Sequence, residues 1–248
     1  MELGLSGKRF LVTGGTRGIG RAVVEGLLAE GADVAFCARS PEAVAEAQAE
    51  LSADGSIAFG AVVDVADRAA VAEWVASSAE ALGGIDGVVA NVSALSDDWQ
   101  SSIDVDLMGT ISLVDAALPH LLATGAGSIL TISSVSGREV DVFAGPYGTV
   151  KAAIIHYTQG LAYQLAGKGV RANTVSPGNT YFPGGVWPSI ERDDPELFAS
   201  SLALNPTGRM ATAQEVANAV VFLSSSAASF ITGTNLLVDG ALTRGVQF

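Results

Sequence analysis

Thr13-Gly14-Gly15-Thr16-Arg17-Gly18-Ile19-Gly20 follows the apolar run Phe10-Leu11-Val12 and opens a pattern in which Ile19, Val23 and Leu27 recur every four residues. The spacing predicts a buried strand that passes through a glycine-rich turn straight into an amphipathic helix. Glycine there permits a sharp reversal and lets a ligand approach the backbone without intervening side chains. The helix start offers unpaired N–H groups and the positive end of the helix dipole, so the ligand to expect is an anion such as a pyrophosphate. Four glycines near a turn are a weak signal in a chain with 29 of them. Their place at the first strand–helix junction gives them weight.

Outward from that junction the same alternation repeats. Apolar runs recur at residues 34–37, 57–63, 88–90, 129–132, 173–175 and 236–238. They are continuous rather than alternating, as in strands buried on both faces of a parallel sheet. Between them lie helical patterns: Val71, Trp74, Val75, Ser78 and Leu82 share one face, as do Val216, Ala219, Val220 and Leu223. Ser40 before Pro41 reads as an N-cap followed by a first-turn proline. The fold class is therefore α/β: a doubly wound, parallel sheet of about seven strands with helices on both faces, in one domain spanning residues 1–248. Residues 179–210 break the rhythm with four prolines and several aromatics, which suggests a binding loop or lid.

Composition narrows the class of function. The chain has 248 residues, 49% hydrophobic and 16% charged, which argues against disorder. Its formal net charge of −13 opposes nucleic acid or an anionic membrane as a partner. Cys37 has no second cysteine to pair with, as expected of a cytoplasmic protein. No uninterrupted apolar run reaches the roughly 18 residues of a membrane span, and the N-terminal residues do not read as a secretory signal. His120 and His156 lack metal-ligand spacing, so no metal site is expected.

The chemistry-bearing residues lie in the middle of the chain. Tyr147 and Lys151 stand four apart, so a helix places both on one face. A nearby cation favours the deprotonated phenol, which suits a tyrosine that gives and takes protons. Ser134 lies thirteen residues earlier, just after the run 129–132, at the strand end where α/β sheets collect ligands.

With the TGxxxGxG-like turn, this constellation resembles the short-chain dehydrogenase/reductase family along essentially the whole chain, its 3-oxoacyl-reductase-like members included. Asp64-Val65, Asn173-Thr174-Val175-Ser176-Pro177-Gly178, Thr232-Gly233 and Val238-Asp239-Gly240 are similar to further family segments. The resemblance implies a Rossmann-type fold and hydride transfer between a nicotinamide and a carbonyl. It implies Tyr147 as acid/base, Lys151 holding the nicotinamide ribose, and Ser134 hydrogen-bonding the substrate carbonyl. It also implies a cofactor site from Gly14, Thr16, Arg17, Gly18, Ile19, Gly20, Arg39, Ser40, Asp64, Val65, Asn91, Pro177, Gly178 and Thr180. A homotetramer is the family's common assembly.

Two departures stand out. The family's Asn-Asn-Ala-Gly segment is Ala90-Asn91-Val92-Ser93 here, and its catalytic asparagine falls at Asp106. A carboxylate at that place offsets part of the lysine's effect on Tyr147. The second strand ends Cys37-Ala38-Arg39, with no acid to receive a ribose hydroxyl, while Arg17 and Arg39 suit a 2′-phosphate; NADP(H) is expected over NAD(H).

Val140, Phe143, Tyr181, Phe182 and Trp187 are the candidate substrate contacts, although the loop aromatics could equally pack the loop onto the core. Trp74 and Trp99 read as core or helix-packing residues, and Leu107, Met108, Ile111, Ile154 and Ile155 as partly intersubunit positions. The expected activity is interconversion of a small, hydrophobic ketone and a secondary alcohol. The rivals are a 3-oxoacyl-thioester reductase and a non-catalytic nicotinamide-nucleotide sensor, the latter favoured only by Asp106.

Overall fold

Each apolar run of the sequence becomes a strand: β1 (Arg9–Thr13), β2 (Asp33–Ala38), β3 (Ala58–Val62), β4 (Gly87–Ala90), β5 (Ser128–Ile132), β6 (Arg171–Pro177) and β7 (Asn235–Val238). The computed structural model describes residues 2–52, 57–141 and 145–246. All pairings are parallel, in the order β3-β2-β1-β4-β5-β6-β7. The chain runs outward from β1 to one edge and then returns to build the other, so strand order reverses between β1 and β4. A crevice opens there at the carboxyl ends.

Alternate residues of each strand feed two cores. Phe10, Val12, Val34, Phe36, Leu130 and Val175 pack against α1 (Gly18–Ala29), α2 (Pro41–Leu51) and a later helix over Ala213–Ser224. Leu11, Ala35, Val88, Ile129 and Ala172 face the opposite layer. That layer is α3 (Arg68–Leu82), the helix run beginning with α4 (Trp99–Ser101), and α6 (Pro146–Leu165). Burial on both faces is why the strands read as continuous apolar runs.

α4 continues through a π-helical segment (Ser102–Met108) into α5 (Gly109–Thr124). The whole run, Trp99–Thr124, is long enough and, over an 18-residue stretch with a mean hydropathy of 1.3, apolar enough to cross a membrane. Asp104, Asp106 and Asp115 interrupt it, and its buried stripe of Leu113, Val114, Ala117 and Leu121 packs into the core under the sheet.

Residues 179–210 are not an irregular loop. They hold α7 (Val186–Asp193) and α8 (Pro195–Ala203), followed by α9 (Ala213–Ser224). Asp194 ends α7 and caps α8 by accepting from Leu197 N–H at 3.0 Å, with Pro195 supplying the first-turn φ. Trp74 is buried as expected, and Ile154 is a core residue rather than a surface one. Trp99 is 52% exposed, because it stands at the start of α4 outside the packed stripe.

Candidate functional site

The glycine turn folds as its sequence requires. Gly14 has φ +72°, which a side chain would strain, and a Cβ on Gly20 would overlap the Gly14 carbonyl oxygen. Asn91 braces the turn from β4. Its Nδ2 donates to Thr13 O at 3.0 Å, while its own N–H donates to Thr13 Oγ1 at 3.0 Å. α1 then begins with no side-chain cap, which leaves the N–H groups of its first turn without a side-chain acceptor. A cradle closed to side chains, with open amides at its floor, fits a dinucleotide pyrophosphate.

Above the cradle lies a cavity of about 560 Å³ at the carboxyl ends of the strands. Gly14, Thr16, Arg17 and Ile19 line it from the turn; Arg39, Ser40, Asp64 and Val65 line it beyond β2 and β3. Asn91, Pro177, Gly178 and Thr180 line it from the ends of β4 and β6. Gly18 and Gly20 do not reach its surface, since Gly20 is buried under the turn and the Phe182 ring lies against Gly18. Cys37 also lines it, but burial pushes its thiol up to about 12, which leaves it unreactive.

Ser134, Tyr147 and Lys151 meet on the same cavity. Tyr147 is the second residue of α6, and Lys151 follows one turn later with its Nζ 5.6 Å from the phenol ring centre. The lysine is fully withdrawn from water and donates to Ile132 O at 3.1 Å. Ser134 leaves β5 as the cap of a 3₁₀ turn, its Oγ accepting from Ser136 N–H at 3.2 Å.

Asp106 does not line the cavity; it stands behind it. Placed by the π-helical segment, a feature common at functional sites, it is 1% exposed, with Oδ1 3.1 Å from Lys151 Nζ. The angle of that contact is not a hydrogen bond's, so it is a meeting of charges. Oδ2 accepts from Ala94 N–H at 2.8 Å. One carboxylate thus ties the lysine to the wall of residues 93–95, where Leu95 has a positive φ of 47°.

The substrate candidates divide. Phe182 and Trp187 line the cavity. Tyr181 does not: its hydroxyl is drawn away to Glu191 Oε2 at 2.6 Å. Val140, 93% exposed, points to solvent. Phe143 lies outside the described residues. Ser93, Leu95, Ser101, Val105 and Val186 also line the cavity and were not foreseen. Their only signal was position, after β4 and along the stretch that opens α4 and α7. Residues 182–185 are tied to the turn by Arg17 Nη1, which donates to Gly184 O at 3.1 Å.

The comparisons agree with this architecture. The family model described as "Enoyl-(Acyl carrier protein) reductase" matches residues 14–243. Isoepoxydon dehydrogenase of Penicillium expansum is 40% identical over 262 residues, covering 100% of this chain and 99% of its own. The 3-oxoacyl-[acyl-carrier-protein] reductase of Salmonella typhimurium is 32% identical, covering 97% and 99%. L-Sorbose reductase from Gluconobacter frateurii, solved with NADPH and L-sorbose, superposes with a TM-score of 0.92 at 27% identity. That likeness covers 99% of this chain and 100% of the other. Because it runs the length of the chain in both sequence and fold, the chain belongs to the short-chain dehydrogenase/reductase family of oxidoreductases.

Proposed function

We propose that the chain interconverts a small, mainly hydrophobic ketone and its secondary alcohol with NADP(H), Tyr147 serving as the acid/base. The observation that carries this reading is the convergence of Ser134, Tyr147 and Lys151 on one cavity with the glycine cradle. The bound nicotinamide supplies or accepts the hydride at the carbonyl carbon. Lys151, held by Ile132 O, keeps a cation beside the phenol and retains donor capacity for a ribose hydroxyl. Tyr147 and Ser134 face the position where oxygen gains negative charge and stabilise it there. Phe182, Leu95, Val105, Val186 and Trp187 give the cavity an apolar wall suited to a compact, cyclic carbonyl compound. A relative named for isoepoxydon, rather than for a carrier-bound chain, supports a free small molecule.

The preference for NADP(H) rests on Arg17 in the glycine turn and Arg39 just beyond β2, which both line the cavity, while β2 itself ends without an acid. NADPH in the L-sorbose reductase structure supports it. Exposed Met108 at the end of the π-helical segment, exposed Leu122 on α5 and exposed Tyr163 on α6 support a homo-oligomer, which we take to be a tetramer. Light scattering at micromolar concentration checks the assembly, and a monomer would refute it.

The decisive experiment is NADPH oxidation across a panel of cyclic ketones, quinones and 3-oxoacyl thioesters, with Tyr147→Phe as control. Turnover of cyclic ketones that falls at least about a thousandfold in the variant supports the reading. Nucleotide binding without turnover of any carbonyl would instead make the protein a sensor. A marked NADH preference in kcat/KM would overturn the cofactor assignment.

A further inference from the structure

The turn after β4 holds its backbone in a conformation that its residues do not favour. Leu95 has a φ of 47°, in the left-handed region where a side chain crowds the following carbonyl oxygen. Among the described residues the only other non-glycine residue with a positive φ is Ala241; elsewhere the chain places glycine at such positions. For a simple connection, glycine would serve better at position 95.

Three side chains keep the turn in this shape. Leu95 N–H donates to Ser93 Oγ at 3.2 Å, and Ala94 N–H donates to Asp106 Oδ2 at 2.8 Å. One residue beyond Leu95, Ser96 O accepts from Ser102 Oγ at 3.1 Å. Ser102 and Asp106 stand four residues apart on the π-helical segment, and both are buried. Two buried polar side chains and a serine are thus committed to a turn whose leucine gains little from folding, since Leu95 stays 55% exposed. Backbone strain that the core does not repay marks a residue placed for a ligand.

The ligand is the one the cavity takes. Leu95 and Val105 line the same cavity as Ser134 and Tyr147. Buried Ser134 marks its inner end and exposed Leu95 its open side. We infer that Leu95 is a specificity-determining residue: it covers the part of the substrate farthest from the carbonyl and selects an apolar surface there. Ser93, Ser102 and Asp106 are the positioning residues that hold it in place. A ring that is hydrocarbon at its far side then buries the leucine, whereas a ring with oxygen there loses its hydration against it. This inference rests on the reading that a cyclic ketone binds with its oxygen at Ser134 and Tyr147.

The test compares kcat/KM with NADPH for cyclohexanone and for tetrahydropyran-4-one, in which an ether oxygen replaces the CH₂ opposite the carbonyl. The ratio of the two within one protein does not depend on the fraction of active enzyme. Its change between proteins does not depend on the ketones' intrinsic reactivity. Leu95→Ala and Leu95→Gly should each lower the ratio, cyclohexanone over tetrahydropyran-4-one, by about three- to tenfold, the scale of covering half a leucine side chain. Ser93→Ala, which removes the acceptor of Leu95 N–H, should lower it in the same direction. The urea midpoint of Leu95→Gly should be no lower than that of the wild type, because glycine accepts the backbone angle. An unchanged ratio in both Leu95 variants would overturn the inference, and a fallen midpoint with an unchanged ratio would assign Leu95 to the fold instead. A changed ratio in the Leu95 variants but not in Ser93→Ala would overturn only the part given to Ser93. No turnover of either ketone by the wild type would sink the cyclic-ketone reading itself, and the inference with it.

Discussion

At the scale of single residues the unusual group is Asp106, a carboxylate 3.1 Å from the Lys151 ammonium with both side chains withdrawn from water. Removing one member of such a buried pair leaves the other charge uncompensated and costs about 3–5 kcal/mol, so Asp106→Ala should lower stability by that order in urea denaturation. Asp106→Asn is the gentler probe. Its amide oxygen can still accept from Ala94 N–H, but the lysine charge is no longer shared with a carboxylate. The full cation then favours the deprotonated phenol of Tyr147. The pH profile of alcohol oxidation should move to lower pH, and superimposable profiles for the two proteins would refute the coupling. The sequence identified Asp106 by its place in a motif, and the direction of its effect followed from its charge. It could not show that the same carboxylate holds the 93–95 wall, because that contact depends on how a π-helical segment sets the side chain's angle. Val140 and Tyr181 were misplaced for a similar reason: chain position brought them near the site, but their side-chain directions took them out of it.

Elements were more legible than side chains, because strands buried on both faces leave an unambiguous run of apolar residues. The stretch 179–210 was not, since its two short helices rest on caps such as Asp194 rather than on a long apolar stripe. The glycine turn shows how firmly one element can be fixed. Gly20→Ala would push a methyl into the Gly14 carbonyl, so it should weaken NADPH binding at least tenfold by fluorescence titration while leaving the sheet's circular dichroism intact. At the opposite end of the sheet, Asp86 pins β1 to β4. It accepts from Arg9 N–H at 3.0 Å and from Arg9 Nε at 2.6 Å, with Lys8 Nζ 3.5 Å away. Burial works against its charge, yet the bonds from Arg9 hold its carboxyl below the ordinary 3.8. A carboxyl depressed in the folded state adds stability that is complete above the unfolded value and disappears as pH falls through the folded one. Asp86→Asn should therefore cost about 1.5–3 kcal/mol at neutral pH, and the deficit should shrink as pH drops below 3.8. A deficit independent of pH down to 2 would show that the charge is not what holds the strands.

For the molecule as a whole, the charge of −13 bears on which carbonyl compounds can reach the cavity. An acyl chain delivered on an acidic carrier protein needs a basic docking patch, and Arg138, Arg192 and Arg209 are the arginines to weigh for one. Arg192 is taken up by Asp193 at 2.7 Å and Arg209 by Glu215 at 2.6 Å. The hydrogen bond from Arg209 holds the Glu215 carboxyl down to about 2. Arg138 is exposed, but one arginine does not offset the surrounding acid. The encounter with an acidic carrier is then governed by repulsion, which salt screens over about 10 Å at 0.1 M. With carrier-borne 3-oxoacyl substrate, kcat/KM should rise severalfold between about 0.02 and 0.3 M salt as that repulsion fades. With a neutral cyclic ketone it should stay flat, because no long-range field acts on an uncharged molecule. A carrier-borne rate that falls with salt would reveal attraction instead. It would mean that Arg138 and its neighbours form a docking patch after all, and it would move the physiological substrate from a free ketone to a carrier-bound thioester.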